Sequence, residues 1–163
     1  MDTVFIHNGV KFRTELDARW SIFLDELGIY WHYEQVSFEF ENGLHYLPDF
    51  WLPMVQMWAE VSPTGLTKYH ARKANMLARA TGYPVLRFTG LPDYREYNTD
   101  DSDNRDCGYV IGNVHDYYYD ERRFFACGCW DSPEDFKHEV YNYEAAINAA
   151  RNAIVNVPER SAR

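Results

Sequence analysis

Leu44-His45-Tyr46-Leu47-Pro48-Asp49-Phe50-Trp51-Leu52 and, after a break opened by Pro53, Met57-Trp58-Ala59-Glu60-Val61-Ser62 form the stretch whose reading decides the fold. Tyr46, Phe50, Trp51, Trp58 and Val61 are residue types that suit a pleated, half-buried surface. The two runs read as strands over residues 44–52 and 57–61, and Pro53, which has no N–H for a ladder, falls between them. Pro48-Asp49 lies toward the end of one strand and Glu60-Val61-Ser62 ends the next. If the strands are antiparallel neighbours, the two carboxylates meet at one edge of the sheet.

Working outward, residues 30–40 alternate loosely and stop at Asn42-Gly43, a hairpin signal because both residues tolerate positive φ. Asn8-Gly9 gives the same signal between Val4–Ile6 and Val10–Phe12. Thr14 offers a helix N-cap with Asp17 three residues on. Leu16, Trp20, Phe23, Leu24 and Leu27 follow at helical spacing, and Gly28 supplies a stop. Downstream, Pro63 and Gly65 break the strand pattern, a second helix is predicted over 67–81 up to Gly82, and residues 84–89 read as a buried strand after a crossover. The order helix, three strands, helix, strand predicts an α/β sandwich with a mixed sheet and a right-handed final crossover. Residues 93–106 carry six acids and two arginines and read as a mobile acidic loop. Residues 109–129 suggest further strands or a hairpin. Ser132-Pro133 with Asp135 starts a final helix over roughly residues 134–154, followed by a frayed tail.

A chain of 163 residues fits one domain with a core of its own, here residues 1–92 followed by the loop and a C-terminal part over 107–163. No apolar run approaches a membrane span and no leader pattern opens the chain, so no membrane partner is expected and the cytoplasm is the default compartment. The net charge of -9 argues against a generic nucleic-acid binder. The charge is uneven, however: residues 1–90 hold 8 Lys/Arg against 10 Asp/Glu, and residues 91–163 hold 8 against 15. A local basic face therefore remains open to the first half.

Paired carboxylates supply the hard oxygen ligands that Mg²⁺ or Mn²⁺ requires, and phosphodiester hydrolysis uses such ions to activate water. Two acids at this spacing are also consistent with solvated strand ends. The surrounding residues add to the case: Phe12-Arg13-Thr14-Glu15-Leu16-Asp17-Ala18-Arg19-Trp20, Tyr33-Glu34, Tyr46-Leu47-Pro48-Asp49-Phe50 and Trp58-Ala59-Glu60-Val61. Together these resemble a family of small PD-(D/E)XK nuclease-like proteins of bacteria and their phages, over about residues 9–90 with a weaker echo at Ala145–Arg151. The resemblance implies a restriction-endonuclease-like αβββαβ core, here with a C-terminal β-hairpin and helix added. It also implies that Asp49 and Glu60 are metal ligands in a catalytic site and that Asp17, standing where the family usually has glutamate, completes the acidic cluster. The family expects lysine two positions after the second acid, and this chain has Ser62. That lysine orients the attacking water and offsets phosphate charge, and a serine hydroxyl cannot supply the charge.

Lys73 is the substitute that helix geometry suggests, because Leu66, His70, Lys73, Leu77 and Thr81 share one stripe of the second helix while Lys68 and Arg72 fall on roughly the opposite face. Either Lys73 partners the two carboxylates or it snorkels at the helix edge. Lys68, His70, Arg72, Lys73 and Arg79 make this helix the basic element of the chain, suited to a phosphate backbone or to solvent. Arg13 and Arg19 flank Asp17 as a possible phosphate clamp, and an ion pair from Glu15 to Arg19 is the competing use. His45 precedes Asp49 by four residues and reads either as a site residue or as a polar surface residue. Cys107, Cys127 and Cys129, with His115 and His138, invite a zinc reading, since some relatives carry a cysteine-pair knuckle in this region. Cys-x-Cys spacing is poor for one tetrahedral ion, and reduced thiols are the expectation. Tyr117-Tyr118-Tyr119 and Phe124-Phe125 suit either base stacking or packing under the final helix.

Two functions follow. One is a Mg²⁺- or Mn²⁺-dependent nuclease acting on DNA, with Asp49, Glu60 and Lys73 as its catalytic residues. The other is a binding protein on a retired nuclease fold, whose acidic second half occupies a basic groove of a host defence protein, in the manner of a phage anti-CRISPR inhibitor.

Overall fold

The computed structural model describes residues 3–54, 56–64, 67–92, 109–111 and 143–158. Strands β1 (Thr3–His7) and β2 (Val10–Phe12) form a hairpin around Asn8 and Gly9. Both turn residues have positive φ, 47° and 78°, as a tight two-residue hairpin loop needs. Helix α1 (Glu15–Glu26) follows at once. Thr14 caps it, its Oγ1 accepting from the Asp17 N–H at 3.1 Å, and the chain leaves through Gly28 at φ 69°. Only half of a capping box forms, because the Asp17 carboxylate turns elsewhere.

After α1 come β3 (His32–Tyr33), β4 (Phe38–Glu39), β5 (His45–Tyr46), β6 (Phe50–Leu52) and β7 (Met57–Ser62), then α2 (Lys68–Thr81), β8 (Val85–Thr89) and β9 (Tyr109–Ile111). The central sheet has the order β3-β6-β7-β8-β9. Its β7–β8 pair is parallel, joined through α2 as parallel neighbours require, and the other pairs are antiparallel. Up to β8 the elements around the sheet thus run helix, three strands, helix, strand, the order the sequence predicts, within a mixed α/β architecture that β9 extends by one strand.

Alternation along the strands divides the core. Phe50, Leu52, Met57, Ala59, Leu86 and Phe88 pack with α1 and with Ala146 and Ala150 of α3 (Tyr143–Asn152). Trp58 and Val85 pack on the other face with Tyr46 and with Ala74, Leu77 and Ala78 of α2. Trp20 of α1 stacks on Phe88 with ring centroids 4.1 Å apart and donates from Nε1 to the Gly90 carbonyl at 2.8 Å, which ties α1 to the end of β8.

Three elements differ from expectation. The strand predicted over 44–52 is two strands: β5 pairs with β4 as a separate hairpin, and β6 joins the central sheet. Pro48, buried at the break, has no N–H with which to continue a ladder. The run over 30–40 is likewise split, with Glu34 at φ 46° just beyond β3. At the C-terminal side, the predicted frayed tail contains β10 (Asn156–Pro158), which pairs antiparallel with β1 while Val155 is buried beneath it. The final helix is seen as α3, and its predicted start at Ser132 lies outside the described residues. So do the acidic loop over 93–106, most of the predicted hairpin over 109–129, Cys107, Cys127, Cys129, His115, His138 and the aromatic runs at 117–119 and 124–125. No helix among the described residues is long and apolar enough to cross a membrane.

Candidate acidic site at the strand ends

The pairing Phe50↔Ala59 between β6 and β7, carried one step past the end of β6, sets Asp49 opposite Glu60. The pairing Tyr33↔Phe50, carried one step the other way, sets Glu34 opposite Asp49, and the Glu34 N–H donates to the Asp49 carbonyl at 2.8 Å. Three acids therefore stand in one row across three neighbouring strands. Asp49 lies at the start of β6, after the Pro48 break, rather than at the end of a longer strand.

The row is partly dehydrated. Asp49 is 5% exposed, and its Oδ2 accepts the Val61 N–H at 2.7 Å while Oδ1 accepts from Arg13 Nη2 at 2.9 Å. Glu60 Oε2 accepts from the Tyr46 hydroxyl at 2.8 Å. Asp17, on the first turn of α1, is 3% exposed, and its Oδ2 accepts from the Tyr33 hydroxyl at 2.8 Å. That hydroxyl in turn accepts the Arg13 N–H at 3.1 Å, and the Arg13 guanidinium also pairs with Glu34 through Nε. Burial, reinforced by the charges of Glu60 and Asp17, pushes the Asp49 carboxyl up to about 8, against the Val61 hydrogen bond and Arg13. Burial likewise raises Glu60 to about 7, against the Tyr46 hydrogen bond and the charges of Arg13 and Lys73. Burial also raises Glu34 above the usual carboxylate range.

Lys73 is half-buried on α2, with Nζ 5.3 Å from the centroid of the Tyr46 ring and 5.0 Å from that of Tyr69. It reaches the ring whose hydroxyl holds Glu60, and its charge is felt at that carboxylate. Lys68, Arg72, His70 and Arg79 are exposed along the same helix, and His45 is exposed on β5. Arg19 is placed elsewhere. Its Nε and Nη2 bind Glu15 Oε1 at 2.9 and 2.6 Å, and Nη1 donates to the Ala150 and Arg151 carbonyls at 2.6 and 2.8 Å. The guanidinium thus caps the end of α3, and the ion pair that competed with a phosphate clamp is the one present.

No family model, no curated protein and no solved structure matches the chain.

The donor set is one that a hard divalent cation accepts: carboxylate oxygens from three elements, with Glu60 Oε1 and Asp17 Oδ1 taking no hydrogen bond among the described residues. The cage is not preassembled, since no three His, Cys, Asp or Glu side chains among the described residues stand at ligating spacing. Sequence reasoning assigned no site role to Tyr33 and Tyr46, whose hydroxyls hold Asp17 and Glu60, or to Glu34, the third acid of the row. Their signal was the position of Tyr33-Glu34 and Tyr46 beside strand ends, but finding their partners requires the register.

Proposed function

We propose that the chain is a metal-dependent nuclease of the PD-(D/E)XK type acting on DNA. The observation that carries this reading is the cross-strand placement of Asp49 against Glu60, both pushed up in pKa by burial, with the charge of Asp17 acting on each. Strongly perturbed acids gathered at strand ends are a signature of functional sites. Asp49, Glu60 and Asp17 would hold Mg²⁺ or Mn²⁺, which supplies Lewis-acid activation of water and of the phosphate oxygen. Lys73 provides positive charge beside Glu60, in the role that the motif lysine would play where this chain has Ser62. Lys68 and Arg72, exposed on α2, offer charge to the phosphate backbone, as does Arg13 at the rim of the acidic row. Arg19, occupied by α3, has no part in this reading.

The test is cleavage of supercoiled plasmid in Mg²⁺ or Mn²⁺ by wild type, Asp49→Ala and Lys73→Ala. Wild type is expected to nick or degrade the plasmid, Asp49→Ala to fall to background, and Lys73→Ala to lose about a hundredfold in rate, the scale for losing one charge-stabilising donor. A wild-type protein without cleavage in either metal contradicts the reading.

The second reading, a retired nuclease fold that inhibits a host defence protein through its acidic surface, is favoured by Ser62 and by the guanidinium already bound to Asp49. Under that reading inhibition persists in Asp49→Ala, and association weakens as salt is raised.

A further inference from the structure

The acidic row carries a cation of its own. Arg13 lies between the end of β2 and the N-cap Thr14, where the β1–β2 hairpin hands over to α1. Its guanidinium spans Glu34, through Nε, and Asp49 Oδ1, through Nη2 at 2.9 Å. Its main chain reaches Asp17 through the Tyr33 hydroxyl, and its charge is felt at Glu60. One residue therefore acts on all four carboxylates.

Both oxygens of Asp49 are engaged, one by Arg13 and one by the Val61 N–H. The Val61 amide is fixed by its place in β7, between β6 and β8, whereas the Arg13 side chain is 57% exposed and has solvent to turn into. Glu34 is held in the left-handed region at φ 46°, a conformation that a non-glycine residue adopts at a cost, and there it meets the second arm of the guanidinium. The planar, forked guanidinium hydrogen-bonds Asp49 and stands in ion-pair contact with Glu34 just beyond the neighbouring strand. A divalent ion that takes Asp49 Oδ1 occupies the same place and repels the same charge.

We propose that Arg13 is the resident counter-cation of the acidic row, and that a divalent metal binds Asp49 only as the guanidinium swings out. This inference rests on the metal-site reading given above and adds a competitor to it. The first measurement is a Mn²⁺ titration at pH 8 of wild type, Arg13→Gln and Arg13→Lys, with the free ion read by electron paramagnetic resonance and the fold checked by circular dichroism. Arg13→Gln is expected to bind Mn²⁺ about tenfold more tightly than wild type, with Arg13→Lys, which keeps the charge but loses the fork, in between. Equal or weaker binding by both variants, with binding intact in wild type, overturns this inference and leaves the metal site standing. Absence of Mn²⁺ binding in all three proteins overturns the metal site itself and this inference with it.

Discussion

In the metal-free protein, burial raises the proton affinity of Asp49 and Glu60 above that of the unfolded chain. Burial is the first cause for both, and the folded-state values of about 8 and about 7 lie above the ordinary carboxylate range near 4. Between pH 4 and 8 the native state therefore binds more protons than the unfolded state, and stability falls as pH rises. The contribution is complete below the unfolded-state pKa and is lost as pH passes through the folded values. Urea unfolding of the metal-free protein is expected to give a higher midpoint at pH 5 than at pH 8, by roughly 2 kcal/mol or more, and Asp49→Asn is expected to flatten much of that slope. A stability that rises over this window contradicts the assignment. At the same scale, Asp49 and Glu60 were legible in the sequence because an acid at the edge of an apolar run stands out against the strand pattern. Arg13 as the partner of Asp49 was not. Locally its neighbours are Glu15 and Asp17, and its true partners are set by how the end of β2 lies against β3 and β6, which no spacing encodes.

The helices are the elements that the sequence marks most plainly. Thr14 and Thr67 cap them, Gly28 and Gly82 release them at φ 69° and 74°, and α2 buries Ala74, Leu77 and Ala78, so that of the predicted inward stripe Leu77 is buried, Lys73 and Thr81 are half-buried and His70 is exposed. The short strands were harder to see. The apolar pattern over 44–52 runs through the Pro48 break, so alternation alone does not reveal that β5 and β6 belong to different sheets. β10 was missed because three residues ahead of a tail carry little periodicity, and their place depends on the open edge of β1. Arg19 links two elements, binding Glu15 in its own helix and two carbonyls at the end of α3. Arg19→Ala is expected to lower stability by about 1–3 kcal/mol by leaving those carbonyls without their charged donor, with DNA affinity unchanged. Chemical denaturation and a filter-binding assay on one preparation check both halves. A loss of DNA binding without a loss of stability returns Arg19 to the phosphate clamp.

At the scale of the whole molecule, the two functions divide along the charge distribution. The residues that build the acidic row lie in the first half, which is close to neutral, whereas residues 91–163 hold 15 Asp/Glu against 8 Lys/Arg. A nuclease needs the first half to accept phosphate beside Asp49 and Glu60, with α2 as its basic rim. An inhibitor needs only the acidic second half and is indifferent to the row. The proposed nuclease therefore stands on a divalent metal held by Asp49, Glu60 and Asp17. Isothermal titration of Mg²⁺ and Mn²⁺ into wild type and Asp49→Ala tests it most directly. Measurable binding to wild type is expected, tightening between pH 6 and 8 as the carboxyls release protons, with no binding to Asp49→Ala. Absence of heat from either ion in wild type at pH 8, or identical isotherms for wild type and Asp49→Ala, contradicts it.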